Sequence, residues 1–480
     1  MKQYRVNNRV RSRYLVEIGD RGLAGAFLAL VVVFFSSSCE SIKEGLDHTR
    51  RRVASALQLG KGVPLSNFVA KDGDYFPEFI DQFFPGVSDY ETKNKSIESA
   101  SSGIQLIQVK RLSEKSGSYN EANLSWSADG VYLGYEIIGS DKRTILVKDL
   151  DGDFSNTILQ LPKEKKSTFL SGMADQGTLS YNAGLRWSVD STRFSFMSNG
   201  GVGEYNIYVG AVGSREKIIA RSPSKDGFAA WSPTESEIVF VSSRSGNGDI
   251  YVVDAYGVEV KRLSSSDDVD IFPDWFPGGE GIVYASGDAL DHDLAMIQKT
   301  KSGEWQKPVK LTSWTADELR PVVSPDGRFI AFYANSFHGN RIGKKVWNLH
   351  ILKISDIQTS SLPLKADRLR KTIVAEDVVI DINTGPAFSP DSSKIFYVKK
   401  ASKIFNPIEV YDLKTAKTTR IHTGTRLNRD VMISKLGVLS FRAQTGAWDR
   451  VYVALTNQGA QLQKSNEAFE VKYKHLSFVE

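Results

Sequence analysis

The chain has 480 residues, 41% of them hydrophobic and 24% charged, with 39 glycines and a single cysteine. That apolar share fills a sizeable core, and one cysteine excludes an intrachain disulfide framework. The net charge of +5 is concentrated in residues 1–38, which set Lys2, Arg5, Arg9, Arg11, Arg13 and Arg21 against Glu17 and Asp20, so the remainder lacks the concentrated basic surface of a nucleic-acid binder and contact with DNA or RNA is excluded.

The basic stretch leads into an uncharged apolar run over residues 22–35. It falls short of the roughly 20 apolar residues of a membrane-spanning helix and suits the core of a secretory signal peptide. It ends in Ser36, Ser37, Ser38 and Cys39. Small residues before a cysteine, directly after an apolar core, resemble the lipobox of bacterial lipoproteins, although Ser36 stands where those proteins usually carry leucine. The resemblance implies a signal peptide over 1–38 and lipidation of Cys39. It also implies a lipid-anchored, periplasm-facing protein of the bacterial envelope, at the outer membrane. An ordinary cleaved signal and an uncleaved anchor are the alternatives.

Residues 39–103 read as a short helical and irregular segment. Ile42, Leu46, Val53, Ala56 and Leu57 space out a short amphipathic helix over 40–59. Phe68, Tyr75, Phe76, Phe79, Phe83 and Phe84 form an aromatic stretch, expected to pack on the domain that follows or to dock a partner. Residues 87–102 are a polar connector.

From residue 104 a repeat takes over. Its clearest unit covers 230–254: a strand ending in Trp231-Ser-Pro, a turn, an alternating strand from Glu237, a loop, and a third strand from Asp249. Gly257 then turns the chain into a fourth strand, and four short antiparallel strands in under fifty residues describe one propeller blade. The unit recurs at Trp126, Trp187, Trp275, Val323 and Phe388, with a weaker copy over 430–454. Most copies are spaced by roughly 44 to 48 residues, with longer intervals after the first and fifth. Seven blades are favoured and six are the alternative. The Pro, Asp and Gly of each turn supply fixed φ, a side-chain acceptor and positive φ, and the preceding aromatic is expected to pack between blades. Residues 104–113 lie before the first copy yet end like the outer strand of the Trp231 unit, so they are expected to complete the last blade. The domain is therefore all-β over 104–456, with a tail over 457–480.

The repeat, Trp-Ser-Pro-Asp-Gly followed by an alternating strand and then Gly-Asp-Ile-Tyr-Val, resembles the WD-repeat-like blades of TolB and its relatives. The resemblance implies an envelope binding module. TolB has six blades and an amino-terminal α/β domain, for which residues 40–100 are too short, so its role in the Tol–Pal system is not carried over.

Catalytic chemistry has little support. Propellers of this type can precede a serine-peptidase domain, but no Gly-x-Ser-x-Gly turn occurs. The six histidines lack metal-ligand spacing. In the triplet Asp291-His292-Asp293, Asp293 falls on the same repeat position as Asp249. The acidic run from Asp149 to Asp153 reads as a hairpin turn and not as a calcium loop. No cofactor is expected. Residues opening the innermost strands, Asp226, Asp270, Asp317, Arg320 and Arg429, are candidates for binding at one mouth of the ring, with solvated loop ends as the plain alternative. The expected function is a non-catalytic protein-interaction scaffold with unidentified envelope partners. The alternative is a carbohydrate- or peptide-binding sensor, or a metal-dependent enzyme, using the channel.

Overall fold

The computed structural model describes residues 104–459, apart from 113–117, 140–142, 150–156, 161–181, 200–203, 212–216, 289–290, 338–344 and 360. The expectations for the export signal, Cys39, the 40–59 helix, the aromatic stretch and nearly all of the tail lie outside the described residues.

Seven antiparallel sheets, each following the chain outward from an innermost strand, make a seven-bladed β-propeller. Blade one is β2 (Asn120–Trp126), β3 (Tyr132–Ile138), β4 (Arg143–Asp149) and β5 (Thr157–Gln160). Blade two is β6 (Asn182–Trp187), β7 (Arg193–Ser198), β8 (Asn206–Ala211) and β9 (Lys217–Ile218). Blade three is β10 (Asp226–Trp231), β11 (Glu237–Ser242), β12 (Asp249–Asp254) and β13 (Val260–Arg262). Blade four is β14 (Val269–Trp275), β15 (Gly281–Asp288), β16 (Asp291–Gln298) and β17 (Val309–Lys310). Blade five is β19 (Asp317–Val323), β20 (Phe329–Phe337), β21 (Lys345–Lys353) and β23 (Ile373–Ala375). Blade six opens on two short pieces, β24 (Val378–Val379) and β25 (Ala387–Phe388). It continues as β26 (Lys394–Lys399), β27 (Ile408–Asp412) and β28 (Lys417–Ile421). Blade seven is β29 (Asn428–Ile433), β30 (Val438–Thr445) and β31 (Trp448–Thr456), with β1 (Leu106–Arg111) as its outer strand.

β1 runs antiparallel to β31, with Val109 opposite Ala454 and Arg111 opposite Tyr452. The first strand of the domain thus completes the last blade, as the resemblance between residues 104–113 and the Trp231 blade's outer strand leads one to expect. Just beyond the strand ends, Gln105 and Asn457 hold each other: the Asn457 amide donates to the Gln105 carbonyl at 2.9 Å, and the Gln105 amide donates to Asn457 Oδ1 at 3.0 Å.

The long interval after the fifth copy, at Val323, is an insertion between the third and fourth strands of blade five. It contains α1 (Ile354–Thr359), β22 (Leu364–Lys365), α2 (Ala366–Leu369) and a 3₁₀ turn over Arg370–Thr372. β22 pairs in parallel with β18 (Thr312–Ser313). Ile357, Leu364 and Leu369 bury themselves against Phe332 and Ile330 of the blade, which gives the insertion its anchor.

The core lies between blades. Because side chains alternate across a strand, Ile238 and Phe240 of β11 pack towards blade two with Ile207. Val239 and Val241 pack towards blade four with Trp275 and Tyr284. Both faces of the second strand are covered, which is why its sequence, Ile-Val-Phe-Val, is continuously apolar. The tryptophan that ends the inner strand of each of blades one to four stitches the blades. Trp187 Nε1 donates to the Ser125 carbonyl, Trp231 Nε1 to the Arg186 carbonyl and Trp275 Nε1 to the Ala230 carbonyl, at 3.1–3.2 Å. Trp126 Nε1 carries the pattern across the closure, donating to Ser440 Oγ of blade seven at 2.8 Å.

The turns behave as their residues demand. In blade one Ser127 Oγ donates to Asp129 Oδ1 at 2.5 Å, and the Val131 and Tyr132 amides donate to Asp129 Oδ1 and Ser127 Oγ. The same Ser–Asp pair recurs at Ser188–Asp190, Ser324–Asp326 and Ser389–Asp391. These serines are turn anchors held by their aspartates.

Candidate functional site: the central channel

Each inner strand carries a left-handed residue near its middle. The positions are Asn123, Gly184, Phe228, Phe272, Arg320, Gly385 and Asp430, with φ between 48° and 78°. In six blades the residue is a one-residue bulge against the second strand, as between Ala122 and Ser125 or between Leu319 and Val322. Bulges bend a strand and re-aim its side chains. Only two of the seven are glycine, so packing and hydrogen bonding hold five side chains in a conformation that costs an L-residue about 1–2 kcal/mol.

Two residues before each bulge stands a second ring: Glu121, Asn182, Asp226, Asp270, Glu318, Asn383 and Asn428. Most of these are ties to the preceding blade. Glu121 Oε2 accepts from the Val451 amide at 2.7 Å, and Glu318 Oε2 accepts from the Leu294 amide at 3.2 Å and from Thr312 Oγ1. Asn428 Nδ2 donates to the Asn406 carbonyl at 2.8 Å. The amides of Asp226 and Asp270 donate to the Tyr205 and Gly248 carbonyls, at 2.8 and 2.7 Å. Burial pushes Glu318 up to about 8, with repulsion from Asp293 and Asp291 adding to it, and pushes Asp270 up to about 6.

The exception is Asn383. In blade six the bulge has grown into a loop: Val379 pairs with Val398 and Ala387 with Phe396, so seven residues intervene where the other blades have two. The loop is bonded to itself. Asp381 Oδ1 accepts the amides of Asn383 and Thr384 at 2.9 and 3.1 Å, and Thr384 Oγ1 donates to Asp381 Oδ2. The Gly385 amide donates to the Asp381 carbonyl at 2.9 Å. Two arginines grip its tip. Arg320 of blade five donates to the Asn383 carbonyl at 2.6 Å, and Arg186 of blade two donates to the same oxygen. Blades two and six are not neighbours, so Arg186 reaches the loop across the interior of the ring.

Burial lowers Arg186 to about 10, with Arg320 next in effect; Asp381, Glu136 and Asp274 act the other way. Arg320 is lowered by burial and supported by Asp274 and Asp381. Asp274 fixes itself by accepting the Val323 amide at 2.8 Å. Asp430 and Arg442 pair at 2.6 Å, and burial together with Asp381 still raises Asp430 to about 7. The wall beside these charges is aromatic. Phe228, 42% exposed, meets Phe272 edge-on at 4.7 Å, and the Arg320 guanidinium lies 5.8 Å from the Phe272 ring. The centre of the ring is thus occupied by a loop under a double guanidinium clamp.

The residues named from sequence fall into different places. Arg320 belongs to the clamp. Asp226 is buried and bound by Arg244 at 3.1 Å, and Asp270 is buried in the inter-blade ring. Asp317 accepts from His292 Nδ1 at 2.8 Å, tying blade four to blade five. Arg429 is exposed at the start of β29. Asp293 pairs with Ser286 as Asp249 pairs with Ser242, and it takes Lys310 as Asp249 takes Arg262, so the two do share a repeat position. Among the described residues no three His, Cys, Asp or Glu side chains gather as a metal site. Arg186, Asp274, Asp381 and Asn383 were not singled out from sequence. A signal existed for the first two. The position before the aromatic reads Ser125, Arg186, Ala230, Asp274, Val322, Ala387 and Met432, and the charged pair stands out once the copies are aligned.

Residues 176–353, which span blades two to five, match the TolB beta propeller domain family. No curated protein matches the chain. Among solved structures, TolB from Acinetobacter baumannii is 16% identical with a TM-score of 0.39, over 63% of this chain and 64% of that one. A putative TolB from Agrobacterium tumefaciens is 17% identical with a TM-score of 0.37, over 52% of this chain and 83% of that one. The β-propeller domain of the Trilobed protease from Pyrococcus furiosus is 12% identical with a TM-score of 0.47, over 70% of this chain and 96% of that one. The chain thus spans just under two thirds of the Acinetobacter protein. With seven repeating blades and a family match inside them, the chain carries a TolB-like β-propeller.

Proposed function

We propose that this propeller is a non-catalytic binding module of the bacterial envelope, a scaffold that meets protein partners on its faces. The observation that carries this reading is the clamp on the blade-six loop. A loop tied to blades two and five fills the middle of the ring, so the rims and outer loops are the surfaces offered to partners. The bulge ring supports the same reading, because Arg320 donates to the Asn383 carbonyl and Asp430 pairs with Arg442. The export signal and Cys39 supply the envelope location, with the ring held at a membrane by the lipidated cysteine. The resemblance to TolB agrees with it.

Affinity capture of the full-length chain from cross-linked, detergent-solubilised envelopes tests the proposal, run beside a Cys39→Ala variant. The expected result is a specific envelope protein retained by the first and depleted in the second. Empty captures from both, or substrate turnover by the purified ring, would overturn the scaffold role.

A further inference from the structure

The β26–β27 hairpin of blade six ends in Lys400, Ala401, Ser402, Lys403, Ile404 and Phe405, all exposed. Ile404 is 69% and Phe405 39% exposed, among the most exposed large apolar side chains of the described residues. The tip is pre-formed. The Ser402 amide donates to the Phe405 carbonyl at 3.0 Å, and the Ile404 amide donates to Ser402 Oγ at 3.3 Å. Directly behind it, the Asn406 amide donates to the Arg426 carbonyl at 2.8 Å, and Asn406 bridges Leu427. The connection into blade seven, with exposed Arg426 and Arg429, is therefore fixed beside the hairpin. None of the side chains of Lys400, Lys403, Arg426 and Arg429 has a partner among the described residues. The acidic groups nearest along the chain pairing are Glu376 and Asp377: the Glu376 carbonyl accepts from Lys399 Nζ, and the Asp377 carbonyl accepts from the Lys400 amide. Cations outnumber them.

Another edge of this face differs, among the described residues. Second-to-third-strand hairpins and inter-blade connections share one side of a propeller. At blades three and four that side carries Asp267, Asp268, Asp288 and Asp291, and Asp291 is raised by burial and by its acidic neighbours Asp293, Asp288 and Asp317. The face is therefore basic with an apolar tip at one edge and acidic at another.

From this polarity we infer that the blade-six edge docks on an anionic lipid surface, Ile404 and Phe405 entering the headgroup layer while Lys400, Lys403, Arg426 and Arg429 contact lipid phosphates. Two apolar side chains alone give weak and reversible insertion, and the juxtaposed cations add electrostatic attraction that anionic lipid satisfies and salt screens. A protein partner would not need the acidic edge of the face to be held away, whereas a negatively charged bilayer repels it and sets the tilt of the ring. The inference does not depend on the scaffold reading or on lipidation of Cys39.

The test uses the full chain carrying Cys39→Ser, with a single environment-sensitive fluorophore at Ala401→Cys. A control places it at Lys301→Cys, on the exposed β16–β17 hairpin of the opposite face. Vesicles contain phosphatidylethanolamine and a quencher-bearing lipid, with or without phosphatidylglycerol. The expected result is quenching at position 401 only, dependent on phosphatidylglycerol and reversed by salt. Lys400→Glu with Lys403→Glu should raise the lipid needed for half-maximal quenching at least about tenfold, and Ile404→Ser with Phe405→Ser should abolish quenching at unchanged melting temperature. Equal quenching at both positions, equal quenching without phosphatidylglycerol, indifference to these substitutions, or a response at 401 only to an envelope protein fraction would each overturn the proposal.

Discussion

Gly184 and Gly385 hold the same place in blades two and six, with φ of 69° and 78°, yet their surroundings differ. A Cβ on Gly184 would meet nothing within 4 Å, whereas one on Gly385 would lie 2.7 Å from Val322 Cγ2 and 2.8 Å from Arg320 Cγ. Gly184→Ala therefore costs only the left-handed penalty, about 1 kcal/mol. Gly385→Ala adds a collision with the clamp and should cost at least about twice as much. Urea unfolding of the two variants checks this, and equal losses would show that the clamp does not press on Gly385. Glu318 gives a residue-scale prediction of another kind. Its folded pKa, about 8, lies above the ordinary 4.5, so the native state binds the proton more tightly than the unfolded chain. Stability contributed by that proton is present below 4.5 and lost as pH rises towards 8. Glu318→Gln keeps a carbonyl acceptor for the Leu294 amide and Thr312 Oγ1 without titrating. The variant should gain in melting temperature relative to the natural chain across that window, and parallel pH profiles would refute the assignment.

Among elements, β1 has the largest leverage for its length. Its six residues carry Leu106 and Val109 into the cluster shared by blades six and seven, and Ile107 into the cluster shared by blades seven and one. Removing residues 1–112 leaves β31 as an exposed edge and opens both clusters, whereas removing residues 1–103 leaves the closure intact. The longer truncation should lower the melting temperature by several degrees or more and broaden the transition, since a ring whose ends no longer meet can unfold from either end. Truncation to 104 should not. Thermal melts of the two chains decide the point. The bulged loop of blade six shows the complementary case, in which an element is identified by what it interrupts. Residues 380–386 carry the polar, turn-forming run Asp381, Asn383, Thr384 and Gly385 just before a Pro-Ala-Phe-Ser-Pro-Asp motif. Such a run looks like any inter-blade connection until the pairing of Val379 with Val398 places it inside an inner strand.

For the whole molecule, the blade count, the all-β class and the closure by residues 104–113 were legible in the sequence. Each rests on a local pattern that recurs, with variation, in every blade: a large apolar residue ending the inner strand, a polar turn, and a largely apolar second strand. Repetition makes a weak signal strong, and an antiparallel meander with short turns leaves few other topologies. The outlier copy, centred on Asp430, was read correctly for the same reason. The candidate site was only partly legible. Arg320 was named and sits in the clamp, but Asp226 and Asp270, chosen by the same criterion, are buried, and Asp226 pairs with Arg244 of its own blade. One residue of register separates a side chain aimed at a neighbour from one aimed at the channel, and bulges at every inner strand shift that register where alternation would be read straight through.

What the sequence determined by itself was therefore the local and the periodic: the blades, their turns, and the strand left over to close them. What the tertiary structure alone decided was which charges meet. Arg186, Arg320 and Asn383 are far apart in the chain and belong to blades two, five and six, and no periodicity links them. They come together because ring closure brings every inner strand around one axis, where residues from adjacent and non-adjacent blades can meet.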